Sequence, residues 1–469
     1  MSARSFTPEQ QGAIDDRRGS GLLAAAAGSG KTAVMVERFV ESVVHDEVPV
    51  GSILALTFTE KAAGELRERI RRRLTELGED EHARAVDASW VGTIHGFCAR
   101  VLRAQPLAAG LDPRFVVLDE PAARRVAEAA YESALEEWEG ELGSRALDVA
   151  AAYGPGLRDI VVEAHATLRS RGESHPRIPL PPEPPAPDPG QLLAARAAAL
   201  AELERAGDGA RVRAGLEALA ACAAVAGEGV PWPGELEAAT LKRGAKALES
   251  DACEAYREAF AAYRQACADR HARAALEAID VLLDRYGRAY AGAKAARAGL
   301  DFEDLELRVR DLLADESRRR RWAERFAVIM VDEFQDTNRL QLELLEALER
   351  DNLFAVGDEF QSIYRFRHAD VTIFRERRAR LGEAALRRLR SNFRSAPELL
   401  AVVNRAFAAE LGDGFEPLRA GRAAAAAAAP APGEPLRLFD PDPVAPRRRR
   451  PAPARAGRPA APRRAATAG

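Results

Sequence analysis

The sequence predicts an α/β fold built on a parallel sheet, with a large all-α insertion in its middle. Three observations predict it. From Met1 to about Arg103, short apolar runs alternate with amphipathic helical stretches, the pattern of strand–helix units whose strands run parallel. From 104 to 299, Ala, Glu, Arg and Leu dominate and strand-like runs become scarce, so this block reads as helical. After Leu300 the alternation resumes, and a sheet that stops and restarts implies insertion into one domain.

The elements follow in order. Leu22–Ala24 is a short buried strand. The stretch after Lys31 places Val34, Met35, Phe39, Val40, Val43 and Val44 on one helical face. Ile53–Thr57 and Trp90–Thr93 are further strands, and Pro176–Pro189 is a proline-rich loop inside the helical block. Val328–Val331 and Leu353–Val356 are apolar strands, each followed by polar residues and then a helix, and Leu386–Phe407 reads as another strand–loop–helix unit. The expected organisation is a first α/β domain over 1–103 and 300–382, a helical subdomain over 104–299, the start of a second α/β domain over 383–418, and a low-complexity tail over 419–469. After Phe439 that tail has almost no large apolar residue with which to bury a core.

With 469 residues, 47% of them hydrophobic, the chain can bury a sizeable core in two or three domains. No run is apolar enough to span a bilayer and Met1-Ser-Ala-Arg-Ser-Phe6 is no signal peptide, so a cytoplasmic location is expected. The four cysteines are scattered without C-x-x-C spacing, which points away from zinc or an iron–sulfur cluster and towards buried thiols. Residues 441–469 hold eight arginines and one acid, so the net charge of −4 divides into +7 there and −11 in the body. An acidic body argues against indiscriminate coating of DNA, while local basic patches still permit binding.

The chemistry-bearing stretch nearest the N-terminus is Ala25–Thr32, Ala-Ala-Ala-Gly-Ser-Gly-Lys-Thr, between a strand and a helix. It departs from G-x-x-x-x-G-K-[ST] only at the first glycine. Backbone N–H groups of Ala24, Ala25, Ala26, Ala27, Gly28, Ser29 and Gly30 can wrap phosphates, Lys31 adds a point charge, and the Thr32 hydroxyl can ligate Mg²⁺. The second element is the run from Ala327 to Thr337, an apolar strand ending in Asp332 and Glu333. Ligands of open α/β sheets bind at such strand ends. Asp332 would hold Mg²⁺, and Glu333 would orient and deprotonate a water.

Together these motifs resemble the UvrD/RecB-type superfamily-1 DNA helicases, most closely the AddA/RecB-like branch, and the resemblance covers most of the chain in order. It implies RecA-like motor domains, ATP and Mg²⁺ as cofactors, and single-stranded or duplex DNA as partner. Phe6–Gln10 resembles the Q motif, implying that Gln10 reads the adenine edge. Thr57–Leu66 and Thr93–Phe97 resemble motifs that line the DNA path, with Phe58 offering a stacking face, Thr57, Thr59 and Thr93 donating to phosphates, and His95 beside them. Ala355–Arg367 resembles motif III, so Gln361 would sense the γ-phosphate while Tyr364 and Phe366 face bases. Leu389–Ser395 resembles motif IV, implying Phe393 on the adenine face and Arg394 as an arginine finger in cis. Asp301–Leu305 also resembles a segment of this branch and is read as structural.

The resemblance implies a 3′-to-5′ helicase or translocase acting in DNA repair or recombination. No counterpart of the later family motifs or of the nuclease motif follows, and the alanine run and Arg/Pro/Ala tail read like out-of-frame translation. The chain is therefore expected to be a truncated product that binds ATP–Mg²⁺ weakly, hydrolyses slowly and does not unwind duplex. The rival readings are one half of a helicase–nuclease complex, whose partner would be a second helicase–nuclease protein, and a non-catalytic, nucleotide-gated single-strand binder.

Overall fold

The computed structural model describes residues 5–226, 229–365, 368–411 and 415–421. Among them, the strands in chain order are β1 (Gly21–Ala25), β2 (Ile53–Thr57), β3 (Trp90–Thr93), β4 (Val116–Val117), β5 (Gly299–Leu300), β6 (Val328–Val331), β7 (Leu353–Gly357), β8 (Leu386–Leu389), β9 (Ser391–Asn392) and β10 (Arg419–Ala420). Six form one sheet in the order β3-β2-β6-β7-β1-β8, parallel throughout. Nearly every residue of the central strands is apolar, as a sheet covered on both faces requires.

Alternation along the strands sorts these residues into two cores. Leu22, Leu54, Leu56, Ile329, Val331 and Leu353 face one side, while Leu23, Ile53, Ala55, Met330, Phe354 and Val356 face the other. The second side is covered by α1 (Pro8–Asp15), α2 (Lys31–Val44), α3 (Glu60–Glu76) and α4 (Asp80–Ala85). The first is covered by α5 (Ile94–Ala104) and by later helices.

The helical block leaves the sheet at β4 and returns at β5, which pair with each other in parallel. It contains α6 (Glu120–Leu142), α7 (Ser144–Tyr153), α8 (Gly156–Ser170), α9 (Gly190–Arg205), α10 (Ala210–Val225) and α11 (Asp251–Ala295). The 45-residue α11 spans about 68 Å and joins two separate cores. Its first half packs Tyr256, Phe260 and Tyr263 with α9 and α10, and its second half packs Leu282, Leu283 and Tyr286 with α6, α7 and α8. All four cysteines are buried and unpaired, as the scattered spacing suggested.

The return of the chain is clamped by buried charge. Lys294 at the end of α11 lies 2.5 Å from both Asp301 and Asp304, and Arg169 of α8 lies 2.5 Å from Asp304. Asp301 caps α12 (Phe302–Leu313) in a capping box with Asp304. The Asp301–Leu305 segment is thus a structural joint between insertion and sheet domain.

After α12 come α13 (Glu316–Arg325), α14 (Arg339–Leu348), α15 (Val371–Leu381) and α16 (Pro397–Leu411), of which α12 to α15 pack on the first face of the sheet. Strand β8, expected to open a second motor domain, is instead the outer strand of this sheet, with Leu22–Ala25 aligned on Leu386–Leu389. Its apolar ends, Leu386 and Leu389, find the sheet's two faces already built. No described helix is long and apolar enough to cross a membrane. The expected tail lies outside the described residues except for 419–421, where β10 pairs with β9.

Trp138 is wholly buried in the second core of the insertion and donates its indole N–H to the Ala278 carbonyl at 2.7 Å. Trp138→Ala should therefore cost about 3–5 kcal/mol, read as a lower urea midpoint.

Candidate functional site

Parallel register brings the C-terminal ends of the strands to one edge of the sheet. Ala24 lies opposite Gly357, Leu56 opposite Val331 and Ala25 opposite Leu389, so the segments that follow them meet there. After β1 the chain turns at Ala26–Gly30, where Ser29 is buried and donates its hydroxyl to the Ala26 carbonyl at 2.7 Å. Gly28 has φ +69° and Gly30 φ +92°, left-handed conformations that admit glycine without strain. Lys31 and Thr32 open α2, whose N-cap Gly30 supplies no side-chain acceptor. Its first-turn N–H groups and the positive end of its dipole therefore suit an anion.

Gln10 reaches the same loop from α1. Its Oε1 accepts from Thr7 N at 3.0 Å, completing a capping box, and its Nε2 donates to the Ser29 carbonyl at 2.9 Å. The resemblance implied that it reads adenine. Here one of its two N–H donors and one lone pair of its oxygen are used within the protein, because Gln10 is the third residue of a capped helix beside the loop.

The turn after β6 carries the acids. The Asp332 N–H donates to the Leu56 carbonyl at 2.8 Å, fixing the strand's end. Glu333 has φ +51° and ψ +43°, which costs a non-glycine residue about 1–2 kcal/mol. In that conformation its Oε2 lies 3.0 Å from Lys31 Nζ. Gln335 donates from Nε2 to Glu333 Oε2 at 3.0 Å and accepts at Oε1 from Asp358 N at 2.9 Å, tying the ends of β6 and β7 together. Burial pushes the Asp332 carboxyl up to about 6, with the charge of Glu333 adding to it, and the same two causes raise Asp336 to about 6. Asp336 also keeps one buried carboxylate oxygen without a partner among the described residues.

Two further segments close on the loop. Gln361 donates to Asp358 Oδ2 at 2.6 Å and, with Ala24–Ala27, lines a cavity of about 390 Å³. Beyond β8, the Phe393 N–H donates to the Gly28 carbonyl at 2.8 Å and Asn392 Nδ2 to the Ala27 carbonyl at 2.7 Å. This strap holds exposed Arg394 against the glycine turn: a Cβ on Gly28 would lie 2.6 Å from that of Arg394.

Five of the residues expected to touch DNA, Thr57, Phe58, Thr59, Thr93 and His95, line a second cavity of about 850 Å³ together with Asp332 and Glu333. The Phe58 and Tyr364 rings stand 4.7 Å apart. Phe366 lies outside the described residues. The threonines behave differently from the expectation. Thr93 caps α5 and donates its hydroxyl to Glu60 at 2.6 Å, and Thr57 donates to the Thr59 carbonyl at 3.2 Å. Both hydroxyl protons are therefore spent within the protein, because these residues sit where strands turn into helices. Thr59 caps α3, accepting from Ala62 N at 3.1 Å, and its own proton has no acceptor among the described residues. His95 stacks on Phe302 at 4.5 Å and faces Glu306 at 3.1 Å.

Gln335, Asn392 and Glu306 were not singled out from sequence. The first two lie inside the motifs already quoted, where a polar residue after the acids or before Phe393 was the available signal. Glu306 carries only a weak one: an acid between Leu305 and Leu307 on a buried helix face.

The residues fit a nucleotide with Mg²⁺ in part of the set. Among the described residues no group of three or more His, Cys, Asp or Glu side chains could hold a metal by itself, so Thr32 and Asp332 would need phosphate oxygens to complete a shell.

A chain with this sheet and this loop belongs to the UvrD/REP helicase family: residues 6–381 match the UvrD/REP helicase N-terminal domain. It is 30% identical over 466 residues to an ATP-dependent helicase/nuclease subunit from Syntrophomonas wolfei, covering 86% of this chain and 38% of that protein. It is 31% identical to the protein of the same name from Alkaliphilus metalliredigens, over 86% of this chain and 39% of the relative. The Geobacillus thermodenitrificans protein of that name is 31% identical, over 87% and 40%. The chain thus spans well under half the length of these relatives.

Two outcomes are expected. Gly28→Ala must place a methyl against Arg394 in a left-handed conformation, so it should weaken nucleotide binding at least about tenfold, a change of roughly 1.4 kcal/mol, measured by titration with a fluorescent ATP analogue. For Asp332 the folded pKa lies above the ordinary carboxylate value. The folded state therefore binds more protons between about pH 4 and 6 and loses relative stability as pH rises through that window. Without Mg²⁺, Asp332→Asn should be more stable than wild type above about pH 6, by on the order of 1–2 kcal/mol, and equal below about pH 4, as urea midpoints would show.

Proposed function

We propose that this chain is an ATP-hydrolysing DNA motor of the helicase kind, acting in DNA repair or recombination, with ATP and Mg²⁺ bound at the edge of the sheet and single-stranded DNA in the neighbouring cavity. The observation that carries the reading is the 3.0 Å contact between Lys31 and Glu333. It joins a phosphate-binding loop to a candidate general base, in a turn whose acids also line the cavity holding Phe58 and His95.

On this reading the loop N–H groups and Lys31 bind the β- and γ-phosphates. Lys31 then exchanges Glu333 for phosphate, which leaves Glu333, still held by Gln335, to orient water and accept its proton. Thr32 and Asp332 would hold Mg²⁺, which would supply charge neutralisation to the phosphates. Arg394, carried by the strap over Gly28, stabilises charge on the transferred group, and Gln361 reports its presence to β7. Phe393 lies beside the loop, suited to pack on the base. Phe58, Tyr364, Thr59 and His95 grip the strand, with stacking that tolerates any base. Movement in the 3′-to-5′ direction is carried by the resemblance, and a cytoplasmic location is carried over from the sequence reading.

A second reading makes the chain part of a helicase–nuclease assembly that includes another protein, and the name shared by its relatives favours it. Co-purification of the chain with such a partner would support this.

ATP turnover should rise at least about tenfold on adding oligothymidylate. It should fall by at least about a hundredfold in Lys31→Ala and in Glu333→Gln, as loss of phosphate binding or of a catalytic base requires. Equal turnover in wild type and both variants would instead mark a non-catalytic binder.

A further inference from the structure

Glu306 is a buried carboxylate with no part in the mechanism above. It sits on α12 between Leu305 and Leu307, 2% exposed, and two groups meet it: His95 Nε2 at 3.1 Å and Gln341 Nε2, which donates at 2.7 Å. Gln341 belongs to α14, the helix that begins just after the Asp332–Glu333 turn, and forms a capping box with Asn338 there. A buried carboxylate needs a compensating cation, and the imidazole of His95 is the one cationic candidate in contact with it among the described residues. The His95 ring is pinned from its face by Phe302.

The protonation state of that ring decides what the cavity can bind. With Nε2 engaged by Glu306, Nδ1 is the nitrogen left for another partner. In neutral imidazole Nδ1 would then be a bare acceptor that repels a phosphate, whereas in imidazolium it is a charged donor that attracts one.

We propose that Glu306 is a positioning residue that keeps His95 doubly protonated, so that the cavity meets a DNA phosphate with a charged donor whose anchor is shared with the helix following the Asp332–Glu333 turn. This rests on the reading of the cavity as a DNA site. The surrounding charges agree. Burial lowers the pKa of His95, but contact with Glu306 and its charge, followed by the charges of Glu303 and Glu60, outweigh burial and raise it. Glu303, on α12, itself titrates near neutrality, its carboxyl pushed up to about 7 by burial and by Asp301. Glu120 of α6 lines the same cavity. Because the pKa of His95 is raised, its charge is complete at low pH and is lost as pH rises through the raised value.

The test is oligothymidylate binding to the whole chain by fluorescence anisotropy between about pH 5.5 and 8.5, bracketing histidine titration, with imidazole titration followed by ¹H–¹⁵N NMR. Wild type should bind more weakly as pH rises. Glu306→Gln keeps an acceptor for Gln341 but removes the charge, so it should shift both the binding profile and the His95 titration to lower pH. Its binding should weaken about tenfold near pH 7.5, the lower end of what one hydrogen bond to a charged group contributes, and recover near the acid end. His95→Gln should lack this His95-dependent step, leaving any contribution of Glu303, and adding Glu306→Gln to it should change nothing further. Parallel profiles for wild type and Glu306→Gln, or additive losses in the double variant, would overturn the inference while leaving the DNA site standing. Absence of DNA binding by wild type at every pH would overturn both.

Discussion

The contact between Lys31 and Glu333 organises the molecule, because two segments more than three hundred residues apart in sequence reach it only if the sheet closes in one order. Strand β7 lies between β1 and β6, and parallel register ends all three at the same edge. A slip by one residue would turn the apolar sets of Leu22 and Leu23 to the wrong faces and displace the ammonium from the carboxylate. Glu333 occupies a left-handed conformation that local sterics oppose, and the surrounding bonds from Lys31 and Gln335 hold it there. Strain of this kind is tolerated where a side chain must be aimed.

The helical insertion depends on a different device. It hangs from the sheet by the β4–β5 pair and by the cluster of Lys294, Arg169, Asp301 and Asp304. Buried ion clusters contribute little net stability over a well-packed apolar alternative, yet losing one partner leaves an uncompensated charge. The cluster therefore specifies how α8, α11 and α12 meet. His165 of α8 lies beside it, held neutral by burial first and then by Arg169 and Lys294, which pull its pKa down to about 3.

The two cavities are lined by different residues. Asp332 and Glu333 border the larger one, and the chain that runs from them through Asn338 and Gln341 to Glu306 ends on His95. A single turn and the start of α14 thus lie between Glu333 and the contact of Glu306 with His95.

Much of this was legible in sequence. Strong apolar periodicity marked the central strands to within a residue or two, the composition change marked the helical block, and Gly28, Gly30, Lys31, Asp332 and Glu333 announced themselves because their chemistry is local: left-handed glycines, a helix start, acids at a strand end. What only tertiary structure decided was partnership. Thr57, Thr93 and Gln10 looked available for ligands, but Thr93 and Gln10 also serve helix caps and Thr57 donates to the turn that follows it, and such geometry depends on where each helix begins. Strand β8 looked like the start of another domain, and the unpaired edge of β1 recruited it. Glu306 had no sequence signature, because a buried acid is defined by the groups that reach it from other helices. Sequence by itself determined the elements and the loop of left-handed glycines ahead of α2, which follow from periodicity and local backbone preference. The protein partner of each polar group was decided by folding, because hydrogen-bond partners distant in the chain exist only once the sheet has closed.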